Sequence, residues 1–192
     1  MRAKAKEEMA KTLAEQKQKE EELRLREQGY IPVANHDHAR IYQEVLDTLT
    51  PEKAQVRISL GAQRAFLMNG DQIAIETPIA TGKSSTPTPQ GTFYVSERDL
   101  DHRSNLYGDY VDSNGDVVKG NVSVREDERP PGTTYLGASM SYFMRLTNYG
   151  IGMHVGCLPG YPASHGCIRL PAETGPIIYE KTKQGTEVRI EN

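Results

Sequence analysis

The residues best suited to covalent chemistry are concentrated in residues 150–170, which hold both cysteines, two of the five histidines and five of the 17 glycines. A thiol attacks a carbonyl carbon as the thiolate, so its usual pKa of about 8.5 must be lowered or its proton taken by a base. Imidazole, with a pKa of about 6.5, can accept that proton and return it to a leaving amine. Cys167 is therefore the candidate nucleophile, and His154, thirteen positions earlier, is the candidate base of an acyl transfer.

The residues directly before Cys167 suit a site for a developing negative charge. In an extended segment His165 and Cys167 would point to the same side, but Gly166 between them indicates a turn and leaves this point open. Backbone rich in glycine can present its N–H groups to a ligand. We therefore expect the N–H groups of Gly166 and Cys167 to be oxyanion donors.

Two motifs resemble one known family. The string Ser-His-Gly-Cys-Ile-Arg at 164–169, with a histidine upstream, resembles the signature of the L,D-transpeptidase catalytic domain of the YkuD type. Residues 81–93 are similar to that family's Thr-Pro-x-Gly-x-Phe segment, which precedes a strand. The resemblance runs from about Val56 to Ile190 and leaves out the N-terminal forty or so residues. Two motifs in the family's order make a chance match improbable.

The resemblance implies a mostly β domain that acts on peptidoglycan stem peptides without a metal or organic cofactor. A cysteine of this family attacks the carbonyl between the third stem residue and a terminal D-Ala, which leaves. The acyl group then passes to an amine, which cross-links the wall or attaches a wall protein, or to water. Two alternatives stay open: an L,D-carboxypeptidase or hydrolase of wall-linked protein with the same thioester, and an inactive wall-binding module.

The resemblance also assigns roles in the reaction. Cys167 would be the nucleophile and His154 the general base, with the carbonyl of Val155 orienting the imidazole. His165 and Gly166 would shape the oxyanion hole. These assignments agree with the chemistry expected from the residue types alone.

Five further residues are expected to contact substrate: Tyr149, Met153, Tyr161, Ser164 and Arg169. Under the resemblance Ser164 would also brace the loop, and Arg169, where many members carry Asn, would hold the strand beyond the nucleophile. The two tyrosines have packing as their alternative role. For Lys83 and Arg145 we weigh two roles: binding a stem-peptide carboxylate, or plain solvation. The gap between His154 and Ser164 is shorter than in many members, which predicts a small lid.

The remaining cysteine and histidines have simpler explanations. His154, Cys157, His165 and Cys167 could form a Cys2His2 zinc site, but their spacing is irregular for one, so no metal is predicted. For Cys157 the alternatives are a bystander thiol, a disulfide to Cys167 that would act as a redox latch, and a weak role in the substrate pocket. The pair His36 and His38 is expected to be solvated.

The charge and the apolar runs exclude several classes of protein. A net charge of -3 gives no reason to expect nucleic acid or an anionic membrane as partner, and the apolar runs are too short to span a bilayer. No signal peptide is evident, which fits either a cytoplasmic protein or an exported one whose targeting segment and any anchor lie outside this sequence. The substrate of the resembled family favours the periplasm or cell envelope, and we expect a monomer.

Composition divides the chain into three parts. Residues 1–30 are charged and lack a heptad pattern, which predicts a solvated helical tether or stalk. Residues 31–52 are predicted to form a short helical connection, with an amphipathic helix from Asn35 to Leu49 capped by Asn35 or Asp37. Residues 53–192 are the candidate catalytic domain.

Within the candidate domain, apolar residues alternate with polar ones over many short segments. This pattern predicts an antiparallel β-sandwich or barrel-like fold with one peripheral helix from Pro171 to about Lys183. The segments are 55–60, 64–68, 72–76, 91–95, 121–124, 142–146 and 186–190. The stretch Glu97–Glu128 is predicted to be a long hairpin or loop, either a flap over the cleft or a surface excursion.

Overall fold

The computed structural model describes residues 38–192, and its first large feature is a meander of three strands. These strands are β2 (Ala54–Ser59), β3 (Arg64–Asn69) and β4 (Gln72–Pro78). In β2 every second residue is buried, as the alternation predicts. Gly70 turns the chain between β3 and β4 with a φ of 60°, a conformation that glycine adopts without strain.

The meander is part of a six-stranded sheet. Its other strands are β1 (Arg40–Ile41), β5 (Gly91–Tyr94) and β13 (Glu187–Glu191), and the order is β1-β4-β3-β2-β13-β5. Strand β13 runs parallel to β2, whereas the other pairs are antiparallel. The six-stranded sheet is therefore mixed, with one parallel pair in an otherwise antiparallel arrangement.

Two smaller sheets complete the fold. The first has the order β12-β11-β10-β6 and consists of β6 (Glu97–Asp99), β10 (Phe143–Arg145), β11 (Gly152–Val155) and β12 (Ile168–Leu170). Its β11–β12 pair is again parallel. The second has the order β8-β7-β9 and consists of β7 (Arg103–Val111), β8 (Val117–Ser123) and β9 (Thr134–Ser139). The three sheets formed by residues 38–192 are all open, so this part of the chain contains no closed barrel.

One hydrophobic core joins the six-stranded and four-stranded sheets. Its fully buried members include Val56, Ile58, Leu67 and Ile75 from the larger sheet and Met144, Met153, Ile168 and Leu170 from the smaller one. Two short helices, α1 (Gln43–Thr48) and α2 (Gly175–Lys181), add Leu46 and Ile178 to it. The mostly β class with a peripheral helix is confirmed.

Both helices are shorter than predicted. Helix α1 begins at Gln43 because Arg40 and Ile41 pair with Glu76 and Ile75 of β4 as an edge strand. Helix α2 begins at Gly175, after a turn in which Thr174 is fully buried. The predicted tether, the caps Asn35 and Asp37, and His36 lie outside the described residues. Among residues 38–192, no helix is both long enough and apolar enough to cross a membrane.

The stretch Glu97–Glu128 contains a long hairpin, one of its two predicted forms, because β7 pairs antiparallel with β8. It supplies β6 to the four-stranded sheet and β7 and β8 to the three-stranded sheet. The three-stranded sheet buries a few residues of its own, among them Tyr110, Val111 and Val122, which are not members of the main core. It is therefore an appendage that packs on the domain, and its strands are long enough to form a stable ladder.

A buried pair of hydroxyl groups joins β4 to the start of α2, and it allows a test of the packing there. The oxygens of Thr77 and Thr174 lie 2.8 Å apart, and both side chains are fully buried. Thr77→Val should lower the free energy of unfolding by about 1–3 kcal/mol, because it leaves the Thr174 hydroxyl without this partner. Thr174→Val should cost less, because the Thr77 hydroxyl can still donate to the Pro78 carbonyl oxygen at 3.4 Å. The double variant should lose less than the sum, as measured by urea unfolding. Strictly additive losses would show that the pair does not act as a unit.

Candidate active site

The parallel pairing of β11 with β12 brings the two motif residues together. The register matches Met153 with Ile168 and His154 with Arg169. Met153 and Ile168 are fully buried in the core, so His154 and Arg169 lie on the opposite face of the two strands. Cys167 directly precedes β12, and alternation places it on that same face. One strand pairing thus brings together the candidate base and the candidate nucleophile, which are thirteen positions apart in the sequence.

The His154 ring is buried and held in one tautomer. Its side chain is 7% exposed, and its Nδ1 lies 2.8 Å from the carbonyl oxygen of Val155. A carbonyl oxygen only accepts hydrogen bonds, so Nδ1 carries the proton and Nε2 keeps its lone pair. Burial lowers the pKa of His154 to about 4, an effect that the Val155 carbonyl opposes and the charge of Arg169 reinforces. The imidazole is therefore neutral at pH 7.

Cys167 has a protonated thiol at neutral pH. Burial raises its pKa above the ordinary value, although a hydrogen bond from the Gly152 backbone and the charge of Arg169 act in the other direction. The sulfur lies 3.7 Å from the carbonyl oxygen of Gly150, which can accept the thiol proton. The resting pair is a thiol and an imidazole, both uncharged.

Ser164 organises the turn before Cys167. Its hydroxyl donates to the carbonyl oxygen of Cys167 at 2.5 Å and accepts from the N–H of Gly166 at 3.0 Å. Gly166 takes a φ of 115°, which a residue with a side chain would adopt only under strain. In this structure the Gly166 N–H already donates to Ser164, so its expected role as an oxyanion donor stays a prediction. The Cys167 N–H remains the candidate donor.

The second motif lies directly against this turn. Gly82 pairs with Ser164, and Ala80 pairs with Arg169, each as an isolated bridge between segments about eighty residues apart in sequence. The N–H of Lys83 also donates to the carbonyl of Ser164 at 3.0 Å. The two motifs recognised separately in the sequence are therefore one structural unit.

His165 is part of a cluster that sequence reasoning did not foresee. Its ring stacks on Tyr107 of β7, with centroids 4.0 Å apart and planes 11° apart. The Lys83 ammonium lies 3.5 Å from His165 Nε2. Partial burial, followed by the charge of Lys83, lowers the pKa of His165. No sequence signal pointed to Tyr107, apart from its place in the stretch considered as a flap.

The predicted substrate contacts divide into several groups. Met153 is fully buried in the core, so the expectation that its side chain contacts substrate is wrong. Tyr161 is also buried, at 8% exposed, whereas Tyr149 is 64% exposed. Ser164 is buried within the turn. Arg169 packs along Gly156, and its Nη1 lies 3.4 Å from the carbonyl oxygen of Cys157, so it supports the loop after His154.

The charged and sulfur-containing neighbours are placed as follows. Arg145 Nε lies 2.5 Å from a carboxylate oxygen of Glu97. This ion pair engages one of the two side chains, Arg145 and Lys83, that were considered as binding groups for a stem-peptide carboxylate. Cys157 and Cys167 are both free thiols, and that of Cys157 is exposed, so the disulfide alternative is not formed here. Within the described range 38–192, no three His, Cys, Asp or Glu side chains are grouped to hold a metal ion, so the Cys2His2 set is not assembled.

Comparison with known proteins identifies a family for this chain. The profile of the YkuD family, described as the L,D-transpeptidase catalytic domain, matches residues 53–190. No curated protein sequence matches the chain.

Several solved structures share the fold. An L,D-transpeptidase from Mycobacterium smegmatis is 18% identical over 73% of this chain and 59% of its own, with a TM-score of 0.55. LdtMt1 in complex with imipenem is 18% identical over 72% and 58%, with a TM-score of 0.53. A cysteine-to-serine mutant of the Enterococcus faecium L,D-transpeptidase is 25% identical over 72% and 49%, with a TM-score of 0.51.

The chain spans less than two thirds of the length of each of these three structures, so the likeness concerns the shared domain. The family profile covers both motifs, the strands that carry them and most of the core. The chain therefore belongs to the L,D-transpeptidase catalytic domain family.

Proposed function

We propose that this chain is a peptidoglycan L,D-transpeptidase in which Cys167 forms a thioester with a stem-peptide donor. The observation that carries the proposal is the arrangement of β11 and β12, which puts a buried, neutral His154 on the same face as Cys167. His154 is held through Nδ1 by the Val155 carbonyl, so Nε2 is the nitrogen that can take a proton. This is the pairing of base and nucleophile that acyl transfer requires.

The first half of the reaction forms the thioester. His154 Nε2 takes the thiol proton while the sulfur of Cys167 bonds to the donor carbonyl carbon, and the carbonyl electron pair moves to oxygen. The tetrahedral intermediate then collapses: the bond from carbon to the D-Ala nitrogen breaks, and the imidazolium of His154 returns the proton to that amine. Free D-Ala leaves, and the acyl group stays on sulfur.

The second half reverses these steps with a new nucleophile. An acceptor amine attacks the thioester carbonyl, His154 takes its proton, and the thiol of Cys167 is released with that proton. A wall-attached protein or a second stem peptide can supply the amine, whereas water in its place gives the carboxypeptidase outcome. This substrate would place the protein in the periplasm or cell envelope.

The pKa shifts point to general-base catalysis. In a resting thiolate–imidazolium pair the pKa of the cysteine would be lowered and that of the histidine raised. Here burial has the opposite effect on both groups. His154 must therefore take the proton during the attack, when the substrate and the oxyanion donors compensate the separated charges.

A carbapenem adduct tests the nucleophile directly, because the fold is shared with a structure determined in complex with imipenem. Incubation with imipenem should add one ligand mass to the wild type and to Cys157→Ala, and none to Cys167→Ala. Intact-mass spectrometry measures the adduct. Cys157→Ala is the matched control because it removes the other, exposed thiol. An adduct that survives Cys167→Ala, or no adduct on folded and reduced wild type, would refute the assignment.

The pH dependence of thiol alkylation tests the uncharged resting pair. In the Cys157→Ala background, the rate at which iodoacetamide alkylates Cys167 should rise about tenfold per pH unit from pH 5 to 8, because the thiol pKa is raised and only the thiolate reacts. The rate should still be rising above pH 9. Quenched samples analysed by intact mass give the profile. A plateau between pH 5 and 8 would instead indicate a preformed thiolate–imidazolium pair.

A further inference from the structure

One buried hydroxyl connects the two motifs at the nucleophile. Thr88 is 4% exposed, accepts a hydrogen bond from the N–H of Gly82 at 2.9 Å, and donates one to the carbonyl oxygen of Gly166 at 2.8 Å. The residues it joins are far apart in the chain, since Thr88 and Gly166 are separated by 78 positions. A hydroxyl that both accepts and donates is fixed in direction, because its single proton is committed to one acceptor.

The carbonyl that Thr88 holds belongs to the peptide unit of the candidate oxyanion donor. In a planar trans peptide the C=O of one residue and the N–H of the next point in opposite directions. Anchoring the Gly166 carbonyl on Thr88 therefore directs the Cys167 N–H away from Thr88. Without an anchor this unit would rotate readily, because Gly166 has no side chain to restrict its backbone.

The Gly166 N–H and the Cys167 carbonyl of the turn are also hydrogen-bonded. The Ser164 hydroxyl accepts from the Gly166 N–H and donates to the Cys167 carbonyl, so it holds the turn on both sides of the unit that Thr88 anchors. Only the Cys167 N–H of this unit is left to serve a ligand. Ser164 thus holds the turn on both sides of this peptide unit, and Thr88 fixes the orientation of the unit that carries the Cys167 N–H.

The segment that carries Thr88 is rigid and lies close to the turn that carries Cys167. Pro87 and Pro89 flank it, and a residue before proline is restricted to extended backbone. A Cβ on Gly82 would lie 2.2 Å from the Thr86 carbonyl oxygen and 2.9 Å from the Cα of Gly166, so only glycine lets the two segments approach. Thr86 adds a hydrogen bond of 3.2 Å from its own hydroxyl to the carbonyl of Ser164.

We propose that Thr88 is the positioning residue of the oxyanion hole: its hydroxyl holds the Gly166 carbonyl and so aims the Cys167 N–H at the substrate carbonyl oxygen. This inference rests on the proposed function, because it concerns a step that generates an oxyanion. It gives the Thr-Pro-Thr-Pro segment a mechanistic role, that of a template for the nucleophile turn. Thr88 itself does not touch the reacting atoms.

The test compares two reactions of the same sulfur. Acylation of Cys167 by imipenem passes through an oxyanion, whereas alkylation by iodoacetamide displaces iodide and forms none. Thr88→Val keeps the shape of the side chain and removes the hydroxyl. It should slow acylation at least about tenfold, approaching the roughly 100-fold or greater loss that removal of an oxyanion donor causes. The alkylation rate should stay within about twofold of wild type.

Three further variants make the result specific. Thr88→Ser restores the hydroxyl and should bring acylation back to within about threefold of wild type. Thr92→Val makes the same change at an exposed position on β5 and should alter neither rate. Thr88→Ala removes the hydroxyl without burying a new methyl group, and it serves if Thr88→Val does not fold. The readout is intact mass over time for both reagents, with folding checked by thermal melting.

Each outcome has one meaning. Unchanged acylation in Thr88→Val or Thr88→Ala overturns the inference, and so does an equal loss of acylation and alkylation, which would show a general disturbance of the turn. Selective loss of acylation with rescue by Thr88→Ser supports it. If wild type itself is alkylated at Cys167 but never acylated, the proposed function fails first, so the two failures are distinguishable.

Discussion

The geometry of the site depends on the parallel pairing of β11 with β12. Parallel neighbours begin at the same end of the sheet, so Cys167, just before β12, lies level with the start of β11 and close to the strand of His154. A parallel pair needs a crossover, commonly through a helix, but here residues 156–167 make the return without one. That connection carries the Ser-His-Gly-Cys turn. Its polar backbone must therefore find partners outside regular structure, and the segment around Thr81 to Thr88 supplies several of them.

The pairing of β11 with β12 also determines the electrostatic environment of His154 and Cys167. One face of β11 and β12 is sealed by the core through Met153 and Ile168, which fixes the strands firmly. The other face carries the buried His154 and the half-buried Cys167, and the lost hydration destabilises the charged form of each. In the proposed mechanism, charge therefore separates only during the attack on the substrate carbonyl. That mechanism depends heavily on a well-aimed hydrogen-bond donor for the oxyanion, because neither group is charged beforehand.

The sequence predicts local features of this fold well and distant ones poorly. Strands β2 to β4 and the turn at Gly70 follow from alternation and turn chemistry within a few residues. The parallel partner of β2 is β13, which lies far along the chain, and that of β11 is β12, which follows an irregular loop. No local sequence pattern therefore indicates either pairing. The predicted strand segments include neither β9 nor the bounds of β7, which lies within the stretch predicted as a hairpin or loop. The polar residues and the buried Gly108 and Gly137 of these two strands do not alternate clearly.

In the candidate site, too, local features were predictable from the sequence and contacts between distant segments were not. The candidate nucleophile and base were recognisable from residue type and from the family motif. In the structure His154 lies on the outer face of the β11–β12 pair, and alternation puts Cys167 on that face as well. Met153 was misassigned although the signal was available, since the neighbour of an outward-facing residue in a strand must face inward. The stack of Tyr107 on His165 had no such signal, because it joins two sheets through side chains alone.

That stack bears on the role of the three-stranded sheet. The sheet leaves apolar side chains such as Val117, Val118 and Leu136 exposed and buries few residues of its own, so its attachment to the domain is modest. Tyr107 joins it to the turn that carries Cys167. An aromatic pair of this kind contributes about 0.5–1.5 kcal/mol beyond the area it buries, enough to favour the docked position without locking it. A flap needs a contact of this strength: strong enough to order the sheet over the turn, and weak enough for substrate to displace it. The interpretation of this sheet as a flap stays a prediction. The stack supports it, because a sheet that only projected into solvent would need no aromatic contact with the turn that carries Cys167.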